Sequence, residues 1–211
     1  MPKTTTNKAA QKVPSPEKIT ALRGSIARLN SAVLAFSGGV DSALLAAIAA
    51  EELGDNFIAA TLRSPLMKES DVAESVQFCK TYNISHVLLD MDILGNVKFA
   101  ANDHDRCYYC KEQIFAALKQ LADQRGYKHL MDGTNIEDCP KRRPGMRVLT
   151  EMSVVSPLRE NGFTKADIRA LSKEMGLFTW DKVSDSCLAT RIPQGESITM
   201  DRLRQMQYRA N

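Results

Sequence analysis

Ser31-Ala-Val-Leu-Ala-Phe-Ser-Gly-Gly-Val-Asp-Ser42 is the stretch on which the fold turns. Residues 31–36 form a short, nearly continuous apolar run, the pattern of a strand covered on both faces. Residues 43–53 are apolar over a helical length, so the segment reads as strand, glycine turn, helix. Such a turn exposes successive backbone N–H groups, and the helix adds the positive end of its dipole. Phosphate oxygens can then be held without a cationic side chain. Gly38 and Gly39 let the backbone approach a ligand, Ser37 and Ser42 offer hydroxyls, and Asp41 can orient the turn or hold magnesium. The plain alternative is a serine–glycine turn that only joins two elements. No lysine follows the second glycine as in a Walker A loop, and the dinucleotide pattern G-x-G-x-x-G is absent.

Working outward, Pro16, Ile19, Leu22, Ile26 and Leu29 stand at helical spacing over residues 16–30. Downstream, strands are expected at 56–62, 84–89 and 127–131, alternating with helices at 68–82 and 111–125. Helices between short apolar strands predict an α/β fold with a parallel sheet and helices on both faces. Residues 132–147 hold Pro140, Pro144 and Gly145 and read as a loop at the carboxyl edge of the sheet, where function concentrates. Thr164, with Asp167 three residues on, predicts a capped helix through Met175, stopped near Gly176. Residues 183–199 look irregular and 200–211 helical. The expected organisation is a disordered tail at 1–15, one nucleotide-type domain at 16–183, and a cysteine-containing segment at 184–211.

The 211 residues carry a formal charge of +3. Four lysines and one glutamate sit in the first eighteen residues, leaving 24 basic and 24 acidic side chains in the remainder. A nearly neutral body gives no electrostatic reason to expect nucleic acid as a partner. No apolar run approaches membrane-spanning length, and the amino-terminal residues lack the apolar stretch of a secretory signal. A cytoplasmic location is expected. An odd count of five cysteines in a reducing compartment argues against a disulfide framework.

Cys107 and Cys110 form a C-x-x-C pair in RCYYCK, and Cys187 opens CLATR far downstream. By spacing alone the pair fits one metal centre, a redox dithiol or chance. Cys79 falls on a helical apolar stripe and reads as core, Cys139 as a loop thiol, and His86, His104 and His129 show no metal spacing.

The glycine turn SGGVDS resembles the PP-loop of GMP synthetases, NAD synthetases and tRNA thiolases, which cleave ATP between its α and β phosphates. RCYYCK at 106–111, DGTNIED at 132–138, RPG at 143–145, SPL at 156–158 and CLATRIPQG at 187–195 resemble, in that order, the LarE family of sulfur transferases. That resemblance implies adenylation of a carboxylate of pyridinium-3,5-biscarboxylic acid mononucleotide and its conversion to a thiocarboxylate for the nickel-pincer nucleotide cofactor. One subtype sacrifices its own cysteine sulfur. The other holds a [4Fe-4S] cluster on three cysteines and passes on an added sulfide. Cys107, Cys110 and Cys187 resemble the cluster subtype, and Ser186 stands where the sacrificial cysteine would be. The resemblance further implies that Ser37, Gly38, Gly39, Asp41 and Ser42 bind ATP with Mg2+. Lys111, Arg143 and Arg191 are candidates for phosphate or carboxylate contacts, with Asp138 and Glu151 as lesser candidates for magnesium. It implies a sulfide donor as a partner and a homo-oligomer, and that family members run past the position of Asn211, so a short or truncated carboxyl-terminal segment is expected. The alternatives are an iron–sulfur tRNA thiolase, to which the basic run Lys141-Arg142-Arg143 gives some support, a non-catalytic nucleotide or metal module, and zinc on the three cysteines.

Overall fold

The apolar run of residues 31–36 becomes β1 (Ala32–Ala35), an inner strand of a four-stranded sheet. The computed structural model describes residues 12–139, 144–184 and 186–208. Pro at the first position and the Ser15 hydroxyl cap α1 (Pro16–Ala27), which precedes β1. The chain then runs through α2 (Val40–Leu53), β2 (Phe57–Arg63), α3 (Glu69–Thr81), β3 (His86–Asp90), α4 (Val97–Ala100), α5 (Arg106–Arg125) and β4 (His129–Met131). The strand order is β3-β2-β1-β4, and every pairing is parallel. Parallel neighbours require crossovers, which the helices supply. Because β1 leads to β2 on one side and pairs with β4 on the other, the switch point lies at the carboxyl end of β1, where α/β sheets open a crevice.

Strand alternation divides the sheet between two cores. Ala32, Leu34, Phe57 and Ala59 pack with Leu22, Leu44, Ile48 and Phe78 of α1, α2 and α3. Val33, Ile58, Ala60, Leu62 and Leu130 pack on the opposite face with Phe115, Leu118 and Leu121 of α5 and with Val148 and Leu149 of α6 (Met146–Glu151). Helices on both faces are thus borne out. Ten of the fourteen α2 residues are buried, so this helix is apolar almost all round and lies inside the protein. It begins at Val40 rather than at 43, which takes Asp41 and Ser42 into its first turn.

α5 likewise begins earlier than periodicity indicates. Tyr108 packs on the α5–α6 core, and Tyr109 and Cys110 on a third core, so tertiary contacts extend the helix back through both cysteines. α4, α6 and α7 (Pro157–Glu160) were not expected; at four to six residues each they are too short to show a period. α8 (Lys165–Glu174) carries the expected capping box, in which Thr164 and Asp167 satisfy each other's backbone N–H. The third core joins Leu66, Ile93 and Phe99 to Leu188, Ile192, Ile198 and Leu203, seating the 188–191 turn and α9 (Met200–Tyr208) on the β3 side. Among the described residues no helix is long and apolar enough to cross a membrane.

Candidate active site

Gly39 precedes α2 without any side-chain cap, so the first-turn amides are left for an acceptor outside the helix. The turn is closed by its own hydroxyls. Ser42 Oγ donates to the Gly39 carbonyl at 3.0 Å and accepts from Ser37 Oγ at 3.1 Å. Gly38 takes φ of 71°. These bonds rest on residues within six positions of one another, which is why this half of the site is written locally.

A cavity of about 640 Å³ opens in front of this turn, lined by Ser37, Gly39, Asp41, Ser42, Lys111 and Asp132 to Asn135, with Asp138, Lys165 and Lys182 also in its wall. Gly133 brings the β4 loop against the turn: a Cβ there would lie 3.0 Å from Ser42 N and 3.2 Å from Ser42 Cα. Asp132, only 6% exposed, accepts from Ser156 Oγ at 2.6 Å, Thr134 Oγ1 at 2.5 Å and Lys111 Nζ at 3.4 Å. Asn135 donates its amide to Asp41 Oδ1 at 3.4 Å. Arg159 holds the same loop through the carbonyls of Asn135 and Asp138, at 3.3 and 2.8 Å.

Among the described residues three ammonium groups reach this cavity, and each stands on a carboxylate. Lys165 pairs with Asp41, Lys111 with Asp132, and Lys182 with Asp71 at 3.4 Å and Glu74 at 2.7 Å. With the α2 amino end, worth about half an elementary charge, they give the cavity cations for a polyphosphate and carboxylates for its metal ion.

The cysteines meet beside this cavity by a different route. Asn102, fully buried and at φ 56°, donates to the carbonyls of Pro193 and Glu196, both at 2.8 Å, and accepts from Arg106 at 2.5 Å. Arg106 also donates to the Ala189 carbonyl at 3.0 Å. These bonds draw the 188–191 turn to the amino end of α5. A Cβ on Gly145 would come within 2.8 Å of the Cys107 carbonyl oxygen, so the turn at Gly145 also seats directly on this end of α5.

Cys107 and Cys187 reach the surface, whereas Cys110 is half-buried. Burial, followed by the neighbouring Cys187 and Cys107, pushes the Cys110 thiol up to about 12, against the pull of Lys111 and Arg106. Packing around its sulfur also raises Cys187, opposed by the N–H groups of Ala189 and Thr190. The three thiols therefore share one electrostatic neighbourhood. Among the described residues no three His, Cys, Asp or Glu side chains converge to hold a single metal ion. A cubane assigns each thiolate its own iron and asks for thiols grouped around a larger body, with no carboxylate or imidazole among them, and the donor chemistry here fits that requirement.

Of the residues expected from sequence, Ser37, Gly39, Asp41, Ser42 and Lys111 line one cavity. Arg191 lies on the Cys187 turn outside the cavity lining, and Arg143, with Lys141 and Arg142, lies outside the described residues. Asp138 lines the cavity, whereas Glu151 accepts from the Tyr108 hydroxyl at 2.7 Å on the α5–α6 surface. Cys79 is core, with its thiol pushed up to about 12 by burial. Sequence reasoning marked Asp132, Thr134 and Asn135 only as part of the DGTNIED motif, without a role, and missed Lys165 and Lys182. The position of Asp-Gly-Thr-Asn directly after β4 at the switch point was a usable signal. Lys165 carried none, since its partner Asp41 lies 124 residues away.

Fold, switch-point cavity and uncapped phosphate-type turn define the PP-loop class of ATP-using enzymes. The sequence profile described as NAD synthase matches residues 18–119. The NH3-dependent NAD synthetase of Campylobacter jejuni superposes with a TM-score of 0.59 over 83% of this chain and 80% of that one, at 15% identity, which is a likeness of fold. The pyridinium-3,5-bisthiocarboxylic acid mononucleotide synthase of Lactiplantibacillus plantarum is 30% identical over 190 residues, 90% of this chain and 69% of that protein. An uncharacterised Synechocystis protein is 35% identical over 189 residues, with 90% and 70% covered. The chain belongs to the LarE family, that of the pyridinium-3,5-bisthiocarboxylic acid mononucleotide synthases.

Proposed function

We propose that this chain adenylates a carboxylate of pyridinium-3,5-biscarboxylic acid mononucleotide with ATP and Mg2+ and replaces the AMP with sulfur at a three-cysteine site. The observation that carries the proposal is the adjacency of two unlike sites joined through α5. Lys111 lines the phosphate-type cavity, and Cys107 and Cys110, which gather with Cys187, stand one turn or less before it.

A carboxylate resists attack by sulfide because oxide would have to leave, whereas an acyl adenylate loses AMP. The substrate carboxylate attacks the α phosphorus and pyrophosphate departs. Amides at the α2 end, Lys165 and Lys182 meet its developing charge, and Asp41 with Asp138 would supply oxygen ligands for magnesium. Asp41, which pairs with Lys165, would hold magnesium, and Lys165 would then turn to phosphate, so neither charge would be left bare. Cys107, Cys110 and Cys187 would hold a [4Fe-4S] cluster, which when bound offers one iron without a protein thiolate for an added sulfide. Lys111 and Arg106 oppose the burial that raises the Cys110 thiol, and Arg106 does the same at Cys187. Ser186 in place of a second thiol beside Cys187 supports an external sulfur source over self-sacrifice.

Anaerobic assay tests the proposal. The protein should release AMP and pyrophosphate only with the biscarboxylate mononucleotide, and should bind iron and acid-labile sulfide in near-equal amounts. The Cys107→Ser, Cys110→Ser, Cys187→Ser variant should keep pyrophosphate release and lose both iron and thiocarboxylate. AMP release that ignores the mononucleotide would overturn the substrate, and thiocarboxylate formation by the triple variant would overturn the cysteine site.

A further inference from the structure

Between α8 and Cys187 the described residues form no helix or strand, and one side chain holds residues 180–182 from behind. Arg169, half-buried on α8, donates from Nη1 to the Trp180 carbonyl at 2.9 Å and from Nη2 to the Lys182 carbonyl at 2.7 Å. A guanidinium is a rigid planar fork, so two carbonyls taken by one group are fixed relative to each other as well as to α8. In front, Lys182 reaches Asp71 and Glu74 of α3. Lys182, Val183 and Ser184 form part of the nucleotide-cavity wall, and Cys187 follows three residues beyond Ser184. Val183 is 81% exposed, so apolar burial does not hold this stretch in place, and polar clamps must.

We propose that Arg169 is a positioning residue that sets residues 180–184 as a strap in the cavity wall, so that nucleotide binding and the presentation of Cys187 depend on the same guanidinium. The inference deepens the functional reading above and rests on it for the identity of the nucleotide. Phosphate oxygens entering the cavity compete with Asp71 and Glu74 for the Lys182 ammonium. With the strap backbone fixed on Arg169, that exchange moves the side chain alone. With the clamp loosened, the strap itself shifts, and the step to Cys187 shifts with it. Lysine at 169 keeps the charge but presents one ammonium in place of a fork and cannot fix both carbonyls in the same way.

Trp180 is the only tryptophan of the chain, and the Lys173 ammonium lies 4.7 Å from its ring centre, so intrinsic fluorescence reports on the strap directly. The experiment compares the wild type, Arg169→Lys and the control Lys173→Ala, all free of iron. It measures acrylamide quenching of Trp180, Cys187 alkylation by iodoacetamide read by mass spectrometry, and titration with α,β-methylene-ATP and Mg2+. In Arg169→Lys we expect quenching and Cys187 alkylation to rise severalfold and nucleotide affinity to fall about tenfold, with the melting temperature within a few degrees of wild type. Lys173→Ala should change the emission alone. Quenching and alkylation unchanged in Arg169→Lys would overturn the clamp, as would a collapse of every readout together with the melting temperature, which would mark a merely structural arginine. A wild type that shows the expected quenching difference from Arg169→Lys yet binds no nucleotide would instead defeat the functional reading.

Discussion

The nucleotide turn and the cysteine site are built by opposite means. Ser37 to Ser42 satisfy one another within a single turn, on a helix buried almost all round. The cysteines come from segments some eighty residues apart, held together by Asn102 and Arg106, whose bonds reach across that gap to residues 189–196. The first arrangement makes its closing bonds inside the strand–turn–helix unit and meets the rest of the chain closely at Gly133. The second depends on a handful of buried polar bonds, each costly to leave unmade. Phosphate binding by backbone amides and sulfur handling by gathered thiols can therefore be broken one at a time.

The largest separation is expected from Gly133→Val. Its Cβ would start 3.0 Å from Ser42 N, with two further carbons beyond, so the β4 loop and the turn must part. A misplacement of this order at a reacting site costs about 10²-fold in rate. AMP formation should fall by that factor while iron binding and Cys187 alkylation stay at wild-type levels. Parallel loss of both would erase the contrast.

Asn102→Ala breaks the other half. It removes the side-chain donor to the Pro193 and Glu196 carbonyls and one of the two acceptors of Arg106, at about 1–3 kcal/mol for a buried group left unpaired. It also places alanine at φ 56°, where asparagine is tolerated better. Denaturant unfolding should show a loss of about 2–3 kcal/mol, with ATP-analogue affinity within twofold of wild type and cysteine-dependent sulfur transfer sharply reduced.

The smallest effect sharpens the comparison from beneath the sheet. His86 Nε2 donates to Thr61 Oγ1 at 2.9 Å, and Thr61 Oγ1 donates to the Phe36 carbonyl at 2.9 Å, immediately before the turn. Burial lowers the His86 pKa from 6.5. The unfolded chain therefore takes up a proton that the folded chain resists, so stability is level above about pH 6.5 and declines as pH falls below it. His86→Gln should flatten that part of the stability profile, measured by urea midpoints between pH 5 and 8; an unchanged slope would assign the decline to other groups.

How much of this was legible in the sequence follows the same division. The four strands, six of the helices and the serine–glycine turn announced themselves because period, composition and turn chemistry are local signals. The capping box of Thr164 and Asp167 is of the same kind. The start of α5 and the pairing of Lys165 with Asp41 were not legible, because packing of Tyr108 and Tyr109 and a contact across 124 residues decide them. The cysteines lay between these cases: their family motifs marked them, but nothing in their spacing pointed to Asn102 as the hub that gathers them.

The most direct test of the account follows oxygen from substrate to nucleotide. Pyridinium-3,5-biscarboxylic acid mononucleotide labelled with 18O in its carboxylates is turned over with unlabelled ATP, Mg2+ and sulfide, and the AMP is analysed by mass spectrometry. Attack of the carboxylate on the α phosphorus, followed by sulfur attack at the acyl carbon, leaves one 18O in each AMP. AMP carrying no label from the substrate would mean that the carboxylate is never adenylated, and the central claim would fail.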